Sequence, residues 1–230
     1  MLTGIVNEIV WSKDNKVLVA VGEKACALNP ETGSRTGDVL GATGKILCAV
    51  FTPENVLFSA GEGNEILRHD GVPFKGQGKP VKHPHTGFVN QMSLSPDKTK
   101  FATASSDKSI CIFDAKSGEV IKHYAAAHAM GIYDLVWLND QTFASASADN
   151  SVKLWSLESN EPKRTFETGQ ARDISRQLLA LHYFQDENSL LGINLNSDFV
   201  WWSTEDQAPL TPSRVVPGHK DLLNSMLLEG

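Results

Sequence analysis

Apolar and polar positions alternate along this chain in short runs broken by turn residues. The clearest stretch reads "FVNQMSL" (88–94), "KFATAS" (100–105), "SICIFD" (109–114) and "VIKHY" (120–124). Between these runs stand "SPDKT", "SDK" and "AKSGE", which are rich in Ser, Pro, Asp, Lys and Gly. Alternation with a period of two, in runs of β-branched and small residues, predicts half-buried strands joined by tight turns. No segment keeps the three-and-four spacing of an amphipathic helix over three turns, so the pattern predicts an all-β chain of antiparallel hairpins.

The pattern also repeats. "ATASSDKSICIF" at 102–113 returns as "ASASADNSVKLW" at 144–155. The landmarks keep step: His85 with His128, Asp107 with Asp149, Phe113 with Trp155. Fainter copies begin at Ile5 and Lys45, another at Arg176, and "PGHKDLLNSMLL" (217–228) opens a sixth. Four short strands in a period of roughly 40–45 residues is the signature of a propeller blade. A His near the start of the unit, "SPD" in its first turn, "SxSxD" before the third strand and a closing Trp or Phe resemble the WD40 repeat. The expected fold is an incomplete WD40 β-propeller of about five four-stranded blades plus the first strand of another. The blades are expected at 1–38, 39–82, 83–126, 127–168 and 169–217, with 218–230 starting the next. Such a set does not close a ring by itself, so the sequence is expected to be a piece of a longer protein or a ring closed in an unusual way.

Ser145 or Ser147 with His128 and Asp149 has the composition of a nucleophile, a base and an orienting acid. Repetition argues against chemistry, because a catalytic site is needed once and a structural unit many times. Resemblance to WD40 blades implies instead a buried network. In it Asp149 accepts from His128, His128 meets Ser145, and Ser145 meets the Trp155 indole. The preceding unit carries His85, Thr103 and Asp107, with Phe113 in place of the indole.

Other candidates are weaker. "GATGK" (41–45) lacks the hydroxyl and glycine spacing of a phosphate loop and is expected to be a turn. His83 and His85 stand two apart, but no third ligand completes a metal site. The acidic residues are dispersed, "RDISR" (172–176) reads as a charged surface loop, and "WW" (201–202) as a third strand with one ring on each face. No catalytic residue, cofactor or metal is expected, and the chain is expected not to be an enzyme.

Bulk properties narrow the class further. The 230 residues are 41% hydrophobic, enough for a packed core, and no apolar run nears the length of a membrane span. A net charge of −6 argues against nucleic acid as the main partner. The opening "MLTGIVNEIVWSKD" lacks the pattern of a signal peptide. Three cysteines, Cys26, Cys48 and Cys111, share no ligand spacing and are odd in number, which fits a reduced compartment.

Several stretches go beyond the generic repeat. "GVPFK" (71–75), "HTGFVN" (85–90), "FATASSDKSICIFDAKSGE" (101–119), "AHAMGIYDLVW" (127–137) and "VVPGHKDLLNSM" (215–226) resemble the first propeller of the actin-interacting protein 1 family. The resemblance covers nearly the whole chain. It implies a non-enzymatic, cytoplasmic and cytoskeletal protein, cortical actin included, that binds actin filaments and promotes their cofilin-dependent disassembly. Family members carry two seven-bladed propellers in tandem, far more than this chain supplies. The resemblance also implies a partner surface at the turns between second and third strands and the connectors beside them. Glu23, Glu62 and Phe88 fall there, with Phe74 and Lys75 from the family-like "PFK"; the "GEGN" at 61–64 departs from the usual Asp-bearing turn. The alternative is a generic WD40 scaffold for another multiprotein complex.

Overall fold

The computed structural model describes residues 5–71, 74, 76–168 and 173–218. It divides into two compact units, Met1–Ala127 and His128–Gly230. Each is made of four-stranded antiparallel meanders in which consecutive strands pair in chain order. The described strands form five four-stranded antiparallel sheets, the all-β arrangement expected of propeller blades.

Unit one holds three sheets. The first is β1 (Val6–Trp11), β2 (Leu18–Gly22), β3 (Ala25–Leu28) and β4 (Arg35–Val39), ending one residue past the expected boundary at 38. The second is β5 (Ile46–Phe51), β6 (Leu57–Gly61), β7 (Ile66–His69) and β8 (Lys79–Val81). The third is β9 (Val89–Leu94), β10 (Lys100–Ser105), β11 (Ile110–Asp114) and β12 (Val120–Tyr124). Unit two holds β13 (Ile132–Asn139), β14 (Thr142–Ser147), β15 (Ser151–Ser156) and β16 (Arg164–Glu167), then β17 (Leu178–Phe184), β18 (Ser189–Asn194), β19 (Phe199–Ser203) and β20 (Arg214–Val216). The "RDISR" segment contains a single 3-10 turn at Ile174–Arg176, capped by the Asp173 carboxylate. The expected further blade, apart from Gly218, lies outside the described residues.

The middle sheet of unit one shows why its strands read as near-continuous apolar runs. Successive side chains point to opposite faces. Ala49, Phe51 and Leu57 join Val19, Val21 and Ala27 in one apolar cluster, while Cys48, Val50, Phe58 and Ala60 join Met92, Phe101 and Phe113 in another. Both faces are therefore buried, and polar residues are driven to the turns. Phe101 is the keystone of the second cluster, with its ring centroid 4.7 Å from those of both Phe58 and Phe113. On β1, Val10 packs toward the first cluster, and Ile9 and Trp11 on the opposite face are 55% and 51% exposed. In unit two a third cluster joins Val152, Leu154 and Phe166 to Leu178, Leu190 and Trp202.

The first hairpin of each sheet in unit one uses one turn design. Ser12, Thr52 and Ser95 each close it by backbone bonds to Val17, Val56 and Lys100, and a left-handed residue follows three positions later. That residue is Asn15 (φ 55°), Asn55 (φ 56°) and Lys98 (φ 60°). Asn tolerates this conformation through its short polar side chain; a long side chain does so only at a cost. Lys98 is exposed, so its side chain contributes little packing in return. Lys98→Asn is expected to raise stability by a few tenths to about 1 kcal/mol, read as a higher urea midpoint at unchanged slope; an unchanged or lower midpoint contradicts the turn assignment.

Candidate protein-interaction surface and the buried relay beneath it

The repeated Ser, His and Asp positions converge in the fourth sheet. Trp155 Nε1–H donates to Ser145 Oγ at 2.8 Å, and Ser145 Oγ stands 2.7 Å from His128 Nε2. His128 Nδ1 stands 3.0 Å from Asp149 Oδ2, which also accepts from the Ala129 amide. A carboxylate only accepts, so the proton of His128 sits on Nδ1 and Ser145 donates to Nε2. Every polar group in the chain of contacts then has one consistent direction. Burial lowers the His128 pKa, the imidazole is neutral near pH 7, and the contact with Asp149 is a hydrogen bond and not an ion pair. Burial by itself would raise the Asp149 carboxyl; the bonds from His128, Ser151 and the Ala129 amide overcome this and hold it well below the usual range.

Ser145, His128 and Asp149 thus stand in the hydrogen-bond order of a Ser-His-Asp triad. What separates them from one is access. Ser145 is fully buried and its oxygen is already occupied by the indole, so no substrate carbonyl reaches it. The contacts instead pin the loop before β13 to the β14–β15 turn and to the end of β15.

The third sheet repeats the device without the indole. His85 Nε2 meets Thr103 Oγ1 at 2.7 Å, and Nδ1 faces Ser109 Oγ at 2.8 Å and Asp107 Oδ2 at 3.3 Å. Burial pushes His85 down to about 4 against the opposing Asp107 charge. Burial would raise Asp107, but the Ser109 hydroxyl and the Thr86 and Ser109 amides bring it down to about 2. Phe113 fills the indole position and stacks on Phe101.

Four further members were not legible from the landmark residues. Ser109 and Ser151 bond Asp107 and Asp149 at 2.6 Å and also reach the imidazoles; the shared Asp-x-Ser spacing carries this signal. In the second sheet His69, opposite Leu57, occupies the register position that Trp155 holds opposite Phe143, and its Nε2 meets Ser59 Oγ at 3.1 Å. The fifth sheet breaks the rule. Trp202 takes the indole position, but Gly192 stands where Ser145 stands in its sheet, and the buried Trp202 Nε1 has no hydrogen-bond partner among the described residues. A Cβ at Gly192 would come within 2.9 Å of both Leu178 and the Trp202 ring, so the glycine is needed for packing and the hydroxyl is lost with it.

The surface candidates sit at the turns of unit one. Glu23 is exposed in the β2–β3 turn and lines a groove of about 350 Å3 with Arg35, Asp38 and Gly44. Glu62 is half-buried in the β6–β7 turn, its amide bonded to the Lys45 carbonyl. Gly44 lies against Glu62, so both glutamates flank the 41–45 connector. Phe88 is 48% exposed just before β9, and its carbonyl accepts from the Ser106 amide. Phe74 is different. It is 8% exposed, packed against Phe51 and edge-on to His69 inside the first cluster, so its apolar ring serves the core and is withdrawn from the partner surface. Lys75 lies outside the described residues.

Among the described residues, no group of three His, Cys, Asp or Glu side chains is placed to hold a metal, and no helix is long and apolar enough to cross a membrane. Cys26, Cys48 and Cys111 are free, and burial raises all three thiols, which keeps them protonated.

The model of the WD domain, G-beta repeat, matches residues 78–114 and 118–156. The chain carries WD40 repeats. The two matched segments end just after Phe113 and Trp155, the closing aromatics of the two sheets with the fullest relays. The chain is also 33% identical to "Actin-interacting protein 1" of Drosophila melanogaster over 95% of its length, and 32% identical to "WD repeat-containing protein 1" of Rattus norvegicus over 94%. It is 32% identical to the "66 kDa stress protein" of Physarum polycephalum over its full length. These matches span 36%, 36% and 38% of the relatives, so the WD40 chain covers little more than a third of each.

The relay makes two expected outcomes. Trp155→Phe removes a satisfied donor and Trp202→Phe an unsatisfied one, so the first is expected to cost about 1 kcal/mol more than the second in urea unfolding; equal costs contradict the assignment. The second concerns pH. His69 and His85 have pKa values of about 4 in the folded state, below the unfolded value of 6.5, so the unfolded chain takes up their protons first. Their contribution is complete above about 6.5 and is lost as pH falls toward 4; that of Asp107 is lost lower, as pH falls from about 4 through 2. The melting temperature should fall from pH 7 to 5, less steeply in His85→Asn; a flat profile overturns the neutral-imidazole reading.

Proposed function

We propose that this chain is a non-enzymatic actin-binding protein of the cytoplasm and cytoskeleton, cortical actin included. In this reading it binds actin filaments and promotes their disassembly together with cofilin, with neither nucleic acid nor membrane as a partner. The observation that carries the reading is the match, over 95% of the chain, to a protein named for its interaction with actin. The chemistry is compatible: the serine, histidine and aspartate groups of the best-formed repeats are consumed by internal hydrogen bonds, which leaves surface loops as the functional parts. Glu23, Glu62 and Phe88 form the proposed contact surface. Two carboxylates beside the 41–45 connector and an exposed ring at the next sheet suit a basic, partly apolar partner surface.

Co-sedimentation with actin filaments tests this. The folded chain is expected to pellet with filaments in a cofilin-dependent manner, and Glu23→Ala, Glu62→Ala and Phe88→Ala each to reduce the bound fraction. Absence of cofilin-dependent pelleting, with circular dichroism showing a folded sample, rejects the actin reading and leaves a scaffold for another complex.

A further inference from the structure

Away from the turn surface, unit one contains a groove of about 760 Å3 between β8 and β12. β8 and β12 are the outer strands of their sheets, and among the described residues no further strand pairs with either outer edge. Pro80 removes one edge donor from β8, whereas β12 contains no proline. Val81 and Val120 give the groove an apolar floor.

The groove is built and held at one end. Arg68 donates to the carbonyls of Lys116 and Ser117, at 2.6 and 3.3 Å, and its guanidinium lies 5.7 Å from the Phe58 ring centroid. Gly118 (φ +78°) lets the β11–β12 turn sit directly on blade two, since a Cβ there would be 3.1 Å from Phe58. A surface fixed before binding loses less entropy on binding.

Cations outnumber acids along it: Arg68, Lys79 and Lys82 line it, with Glu119 the one acid among the described lining residues, in a chain of net charge −6. Asp70 pairs with Arg68 and Lys79, which leaves Lys82, exposed and in no ion pair among the described residues, as the cation open to a ligand. Cations that merely guard an edge against aggregation need no apolar trough beside them.

We propose that this groove binds an extended, acidic segment of a partner protein. The segment's main chain bonds the outer edge of β12, its apolar side chains rest on Val81 and Val120, and a carboxylate faces Lys82. β12 spans roughly 13 Å, room for about four residues of extended peptide. This site is independent of the actin reading and of the surface at Glu23, Glu62 and Phe88.

Fluorescence anisotropy on the full chain tests it with a labelled acidic pentapeptide of sequence Asp-Val-Glu-Val-Asp and a counterpart carrying lysine at the three acidic positions. The acidic peptide is expected to bind saturably and to weaken with salt, with the lysine peptide at least about tenfold weaker. Lys82→Glu is expected to weaken the acidic peptide about tenfold, Val120→Asp to remove binding, and Glu119→Lys to tighten it. These three positions are on the surface, and an unchanged melting temperature in Lys82→Glu and Glu119→Lys separates loss of binding from loss of fold. Equal binding of the two peptides, insensitivity to Lys82→Glu, or no saturable binding of the acidic peptide up to about 1 mM overturns the proposal.

Discussion

A buried hydroxyl shared between an imidazole and an indole organises the best-formed part of this protein. Inside a sheet, where water does not compete, an unpaired polar atom costs about 1–3 kcal/mol, so such groups are retained only as a complete set. Ser145 completes the set in its sheet by accepting from Trp155 and donating to His128, which leaves His128 to donate to Asp149. One oxygen thereby links a loop, a turn and the closing aromatic of a sheet. The same direction of protons that would activate a serine nucleophile here only satisfies it, because the site is closed on every side.

The sheets show how far that device can erode. In the third sheet Phe113 replaces the indole, and the network survives because Thr103 still has His85 as a partner. In the second, His69 stands at the aromatic position and supplies a ring nitrogen for Ser59. In the first, Ala20 and Leu28 hold the corresponding hydroxyl and aromatic positions, and apolar contact alone remains. The fifth keeps the tryptophan but loses the hydroxyl to Gly192, leaving an indole nitrogen with no partner among the described residues. Apolar packing tolerates each of these, since the sheets bury the same faces whether or not the relay is present.

With the hydroxyls and imidazoles occupied inside, recognition is left to turns and rims. In unit one these differ in character: Glu23 and Glu62 flank the 41–45 connector, whereas Lys79, Lys82 and His123 line the trough between β8 and β12.

Period and alternation were enough to read the five meanders, because a strand's faces follow from every second residue and a repeat shows itself by copying. Copying showed that His128, Ser145 and Asp149 recur, with counterparts forty-two or forty-three residues earlier, and the resemblance to WD40 blades implied their pairing. Other features depended on distance across sheets. His69 in the indole position is invisible by residue type, since only the register of β6 with β7 sets it opposite Leu57. Phe74 joins the partner surface only through the family-like "PFK", whereas the ring packs on Phe51 and His69, because burying an aromatic face is worth more than presenting it to water. The β8–β12 groove leaves no local trace, for its floor and rim come from Arg68, residues 79–84, residues 117–120 and His123. The sequence by itself determined the repeating strands and their internal polar relay, which are local and periodic. Tertiary structure alone decided which side chains face solvent and which distant cations share a trough, because those depend on how one sheet stacks on the next.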